Sequence, residues 1–119
     1  MQTIPLGVSS LVSSRLAYGC WRVAGSWNPG EVTAESRAAG RRAIATAYEA
    51  GYTLFDNADI YCRGEAERIL GDALREIPDM RERVLIATKC GVRFPGVPNP
   101  DSPQRYDFSA EHILRSKKS

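Results

Sequence analysis

The sequence predicts an α/β fold with parallel strands, and three observations carry that prediction. Apolar runs begin near residues 16, 52 and 84, and starts 36 and 32 residues apart leave room for a helix between successive strands. The run Val84 to Ala87 is apolar at every position, as a strand covered on both faces of a parallel sheet requires. Ionisable residues follow the runs: Asp56 closes the second, Tyr61 comes five residues later, and Lys89 follows the third. In a parallel barrel such strand ends converge on one face, where the chemistry of these folds is found.

The first strand is Leu16 to Cys20, after the turn-prone Ser13-Ser14. Glycines, a serine and Asn28-Pro29 mark residues 24–30 as a loop. Thr33 is placed to cap a helix, with Glu35 in the first turn where the macrodipole favours an acid. Ala43, Ile44, Ala47, Tyr48 and Ala50 recur along it at helical intervals, and Gly51 ends it. Arg37, Arg41 and Arg42 are expected to face water. The second strand, Tyr52 to Phe55, leads to a helix from Glu65 to Arg75. Its apolar stripe is Ala66, Ile69, Leu70, Ala73, Leu74 and Ile77, and Pro78 stops it. Residues 91–107 contain four prolines and no periodicity. They read either as a functional loop or as a solvent-exposed connection. Ser109 caps a last helix with Ile113 and Leu114, but lysines stand at 117 and 118 where its apolar stripe should continue. That polar end reads as an interruption of a longer domain.

A hydrophobic share of 43% and a net charge of +2 exclude a disordered or strongly basic chain. No basic face with interleaved aromatics suggests nucleic acid. No apolar run approaches the ~20 residues that cross a bilayer, and Met1 to Pro5 lacks the character of a signal peptide. The expectation is a cytoplasmic chain with neither a nucleic-acid nor a membrane partner. Three cysteines without a CxxC pair argue against a disulfide framework. Cys20, Cys62 and Cys90 lie at or beyond strand ends. A thiolate metal site wants a fourth ligand, so they are read as small buried hydrophobes and no metal is expected. GxGxxG after a strand, GxxxxGK[ST], HExxH and GxSxG are all missing from the sequence.

A tyrosine normally titrates near 10, and a neighbouring ammonium favours its phenolate. Asp56 beside Lys89 would keep the lysine charged and aimed, and Tyr61 could then donate a proton. The residues alone leave a plainer reading open: a loop carboxylate, a half-buried phenol and a solvated lysine. Four stretches stand in register: Gly19-Cys20-Trp21-Arg22, Phe55-Asp56-x-Ala58-Asp59-x-Tyr61, Leu70-Gly71-x-Ala73-Leu74 and Thr88-Lys89-Cys90-Gly91. Together they resemble the aldo/keto reductase family, in particular bacterial members with Gly-x-Trp-Arg on the first strand.

The resemblance implies an incomplete (β/α)8 TIM barrel, about its first three β/α units, since a whole barrel takes roughly 250 residues. Residues 1–119 would be the truncated N-terminal part of such a domain. It also implies NADPH-dependent reduction of an aldehyde or ketone, a small-molecule carbonyl substrate, to an alcohol. In that reading Tyr61 is the general acid, Lys89 its electrostatic partner and Asp56 the group orienting the lysine. Gly19, Cys20, Trp21 and Asp56 would meet the nicotinamide. Trp21 reads equally as a wall of the carbonyl pocket or as core packing. The family's catalytic histidine follows a fourth strand that the sequence does not reach. His112, in a helical context, does not match it. The alternative expectation is a non-catalytic truncated fragment with no independent enzymatic activity.

Overall fold

A computed structural model describes residues 1–117, so Lys118 lies outside the described residues. The chain forms two compact units, one from Met1 to Thr88 and one from Lys89 onward.

The first unit begins with an antiparallel hairpin, β1 (Thr3–Pro5) and β2 (Val12–Ser14), in the register Ile4 opposite Ser13. The sequence reading lacked it, because a proline in a three-residue run argues against a strand except at an edge. Ser14 ties the hairpin to the sheet: its N–H donates to Thr53 Oγ1 at 2.7 Å, and the Thr53 N–H donates to Ser14 Oγ at 2.9 Å. The hairpin therefore sits at the N-terminal end of the parallel strands.

Those strands are β3 (Ala17–Gly19), β4 (Leu54–Asp56) and β5 (Leu85–Ala87), in that order and all parallel. They stand where the sequence places them, each trimmed at its N-terminal side, β3 ending one residue early at Gly19 and β4 extended by Asp56. Their register aligns Tyr18, Phe55 and Ile86 in one row and Gly19, Asp56 and Ala87 in the next. Side chains alternate faces along a strand, so Asp56 lies on the face opposite Phe55. Phe55 is fully buried and anchors the core beneath the helices with Ile44, Ile69 and Met80. Val84 is buried ahead of β5, while Leu85 is half-buried and Ile86 exposed. The third strand is thus less covered than its apolar run suggests.

α1 (Ala34–Glu49) starts in a capping box: the Ser36 N–H donates to Thr33 Oγ1 and the Thr33 N–H donates to Ser36 Oγ. Gly51, at φ +95°, turns the chain out of it. Gly40 lets α1 close on its neighbours, since a Cβ there would fall 2.4 Å from the Val23 carbonyl oxygen and 3.0 Å from Ile69 Cγ2. α2 (Glu65–Glu76) buries Ala66, Ile69, Leu70 and Ala73, the stripe read from the sequence. Arg37 and Arg41 correct the expectation that they merely face water. Arg37 pairs with Glu65 at 3.0 Å and Arg41 with Glu76 at 3.2 Å, joining α1 to α2. A four-residue helix, α3 (Met80–Arg83), follows and buries Met80.

In the second unit, residues 91–107 contain a short hairpin, β6 (Val92–Arg93) with β7 (Arg105–Tyr106). An Arg93–Asp107 ion pair at 2.9 Å and the Asp107 N–H donating to the Gly91 carbonyl close it. Ser109 caps α4 (Ala110–Lys117), as read from the sequence, by accepting from the His112 N–H. Ile113 and Leu114 are exposed.

Candidate active site

Two loops leave the C-terminal ends of β3 and β4 from a shared anchor. The Cys20 N–H donates to the Asp56 carbonyl and the Asn57 N–H to the Ala87 carbonyl, both at 2.8 Å. The sheet ladder therefore runs one residue past the strands before the loops begin. Asn57 is buried, and its Oδ1 accepts from the Ala58 N–H at 3.0 Å, tightening the turn after Asp56. Gly19 and Ala87 flank Asp56 in the row of strand ends, so neither neighbour sets a large side chain beside its carboxylate.

Tyr61 opens a 3-10 turn, Tyr61–Gly64, with unusual backbone. Cys62, Arg63 and Gly64 have φ of 46°, 50° and 92°. Left-handed backbone costs a residue other than glycine about 1–2 kcal/mol, and such strain concentrates at functional sites. Two contacts hold it in place. The Cys62 side chain is buried in the core, where burial above all, then the nearby Glu65 carboxylate, pushes its thiol up from the ordinary range. The Glu65 N–H, starting α2, donates back to the carbonyls of Cys62 and Tyr61.

Glu65 itself is largely buried and gripped by Arg37 and by Arg68 at 2.6 Å. Burial works to raise its carboxyl. The hydrogen bonds and charges of the two arginines outweigh that and leave it below the ordinary carboxylate range.

Across from Tyr61 stands the loop after β3. Trp27 meets the Tyr61 ring edge-on, with centroids 6.4 Å apart, and Trp21 meets Trp27 at 5.3 Å. Both indoles are about half exposed. Trp21 is therefore part of an open aromatic wall, which decides against plain core packing. Trp27 was missed in the sequence, where a tryptophan inside a Gly/Ser/Asn-Pro loop was the signal.

Cys20 is fully buried, so its thiol belongs to the core and only its backbone remains at the strand end. Cys90 is half-buried and departs from the expectation of a buried hydrophobe. Asp56, Tyr61 and Trp21 belong to the first unit, and Lys89 is the first residue of the second. His112 lies in α4, within the second unit. No group of three or more His, Cys, Asp or Glu among the described residues could hold a metal ion. No helix among them is long and apolar enough to cross a membrane.

The model of the aldo/keto reductase family matches residues 15–119. The chain belongs to the aldo/keto reductase family. It is 37% identical over 114 residues to a 6-dehydroglucose reductase of Agrobacterium fabrum, covering 95% of this chain and 36% of that protein. To an NADH-specific methylglyoxal reductase of Escherichia coli it is 37% identical over 94 residues, covering 77% of this chain and 27% of the relative. Among solved structures, the holo form of an aldo-keto reductase from Bacillus halodurans superposes with a TM-score of 0.76 at 28% identity, covering 99% of this chain and 34% of that one. This aldo/keto reductase chain thus spans about a third of the length of its relatives. Its three parallel strands form part of an α/β barrel.

Proposed function

We propose that the protein carrying this chain reduces a small aldehyde or ketone to an alcohol, with Tyr61 as proton donor, Lys89 lowering the cost of the phenolate and Asp56 orienting the lysine. The observation that carries this reading is the meeting of two strand-end loops, which presents Tyr61 to an open aromatic wall just beyond Asp56. Membership of the family supplies the reaction class.

A nicotinamide fits the residues at hand. Gly19 is exposed and carries no side chain. A Cβ built there would find nothing nearer than Trp21 Cδ1 at 4.0 Å, so the strand end leaves a planar ring room beside Asp56. When bound, the reduced dinucleotide supplies a hydride to the carbonyl carbon. The protein does the rest. Tyr61 Oη gives its proton to the carbonyl oxygen as negative charge grows there, and the Lys89 ammonium stabilises the phenolate left behind. Solvent returns the proton once the alcohol departs. Without a positioned acid the oxygen would have to carry that charge alone, a difference of typically 10²–10⁴ in rate.

NADPH is the donor we propose, and the E. coli relative named for NADH makes the comparison of both dinucleotides part of the test. Tyr61→Phe is expected to lower carbonyl reduction by about 10²-fold or more while dinucleotide binding, followed by fluorescence, stays within about twofold. Turnover retained in that variant would assign the proton to another group.

A further inference from the structure

β5 ends at Ala87, two residues before Lys89, and both Thr88 and Lys89 are exposed. Packing in the core does not fix the chain there. A side chain does: Thr88 Oγ1 donates to Glu67 Oε1 at 2.6 Å. That length is in the range of about 2.5–2.7 Å for a hydroxyl on an ionised carboxylate, a bond stronger than one between neutral groups. Glu67 is half-buried and stands in the first turn of α2. The turn is firmly seated, because Ala66 and Ile69 on either side of Glu67 are fully buried. Two residues before Glu67, the Glu65 N–H holds the carbonyls of Tyr61 and Cys62. One turn of helix thus grips the loop that carries Tyr61 and the residue that precedes Lys89.

We propose that Glu67 is a positioning residue for the reduction: through Thr88 it fixes the point from which the chain enters Lys89, against the turn that carries Tyr61. This rests on the roles proposed above for Tyr61 and Lys89. An ammonium stabilises a phenolate by an interaction that falls as the two charges separate, and a displacement of about 1 Å costs on the order of 10²-fold in rate. Glu67 acts at one remove, through the Thr88 hydroxyl. Its loss should slow the chemical step and leave dinucleotide binding alone.

The test measures kcat and the dinucleotide KM, with butanal and benzaldehyde, in the protein carrying this chain and in Glu67→Ala, Thr88→Val and Thr88→Ser. Thr88→Val keeps the shape and removes the hydroxyl, whereas Thr88→Ser keeps the hydroxyl. Glu67→Ala and Thr88→Val are each expected to lower kcat about tenfold with the dinucleotide KM within about twofold. Thr88→Ser should keep most of the parent rate. No loss in Thr88→Val, an equal loss in Thr88→Ser, or a loss carried by KM would overturn the proposal. A parent that reduces neither aldehyde sinks the proposed reaction instead, and amide hydrogen exchange then judges the anchor. Exchange about tenfold faster over residues 88–90 in Thr88→Val, with residues 61–64 unchanged, upholds it. Unchanged exchange over 88–90, or equal loosening of both segments, overturns it.

Discussion

Arg63 holds a φ of 50° that glycine would adopt at little cost, and it does so between Cys62, which is equally strained, and Gly64. Placing glycine at 63 removes the left-handed penalty of about 1–2 kcal/mol and adds about 0.4–1 kcal/mol of unfolded-state entropy to overcome. Arg63→Gly is therefore expected to stabilise the fold by about 0.5–1 kcal/mol, read as a melting temperature a few degrees higher. A lower melting temperature would mean that contacts of the arginine side chain outweigh the backbone term. The same variant should reduce turnover, because two successive glycines loosen the turn that fixes Tyr61. None of this was legible in the sequence. Gly64 marks a turn, but nothing in a Cys-Arg pair announces two left-handed residues. Asp56 and Gly19 were legible, since a strand's register follows from its apolar pattern.

Between elements, the clamp of Arg37 and Arg68 on Glu65 joins α1 to the start of α2, beside the strained turn. The folded carboxyl titrates below its unfolded value of about 4.3, because the arginines outweigh the burial that opposes them. A depressed carboxyl stabilises the fold above the unfolded pKa, and that stabilisation is lost as pH falls through the folded value. Stability measured from pH 6 to pH 2 should therefore fall more steeply in the parent than in Glu65→Gln. Parallel acid limbs in the two proteins would show that the clamp contributes nothing. Arg37 is 40% exposed and Arg68 remains to compensate, so Arg37→Ala should cost about 1–2 kcal/mol, below the usual toll of breaking a fully buried pair. The helices themselves were legible from local signals: Thr33 before α1, Gly51 after it and Pro78 after α2. The clamp was not, because its partners lie 28 residues apart on separate helices. The β1–β2 hairpin escaped for another reason, that Pro5 speaks against a strand and only edge pairing tolerates it.

At the scale of the first unit, the sheet has three strands, and β3 and β5 each leave one edge unpaired within it. Open parallel edges beside exposed Leu16 and Ile86 are templates for pairing with other chains. Residues 1–119 produced alone should accordingly associate as concentration rises, and light scattering behind size exclusion would report it. A monomer that persists at high concentration would mean that these edges are shielded.

The parallel register also bears on synthesis. Ala17 pairs with Leu54, 37 residues further along the chain, and at roughly 5–20 residues per second a ribosome needs on the order of 2–7 s to cover that distance. Until then β3 has no partner in this sheet, while the β1–β2 hairpin before it can already close by local contacts. The nascent chain thus passes through an interval in which an apolar strand waits on a helix still being made. The pace of translation through the α1 codons sets how long it waits, and a chaperone binding around Leu16 to Tyr18 would be needed only for those seconds.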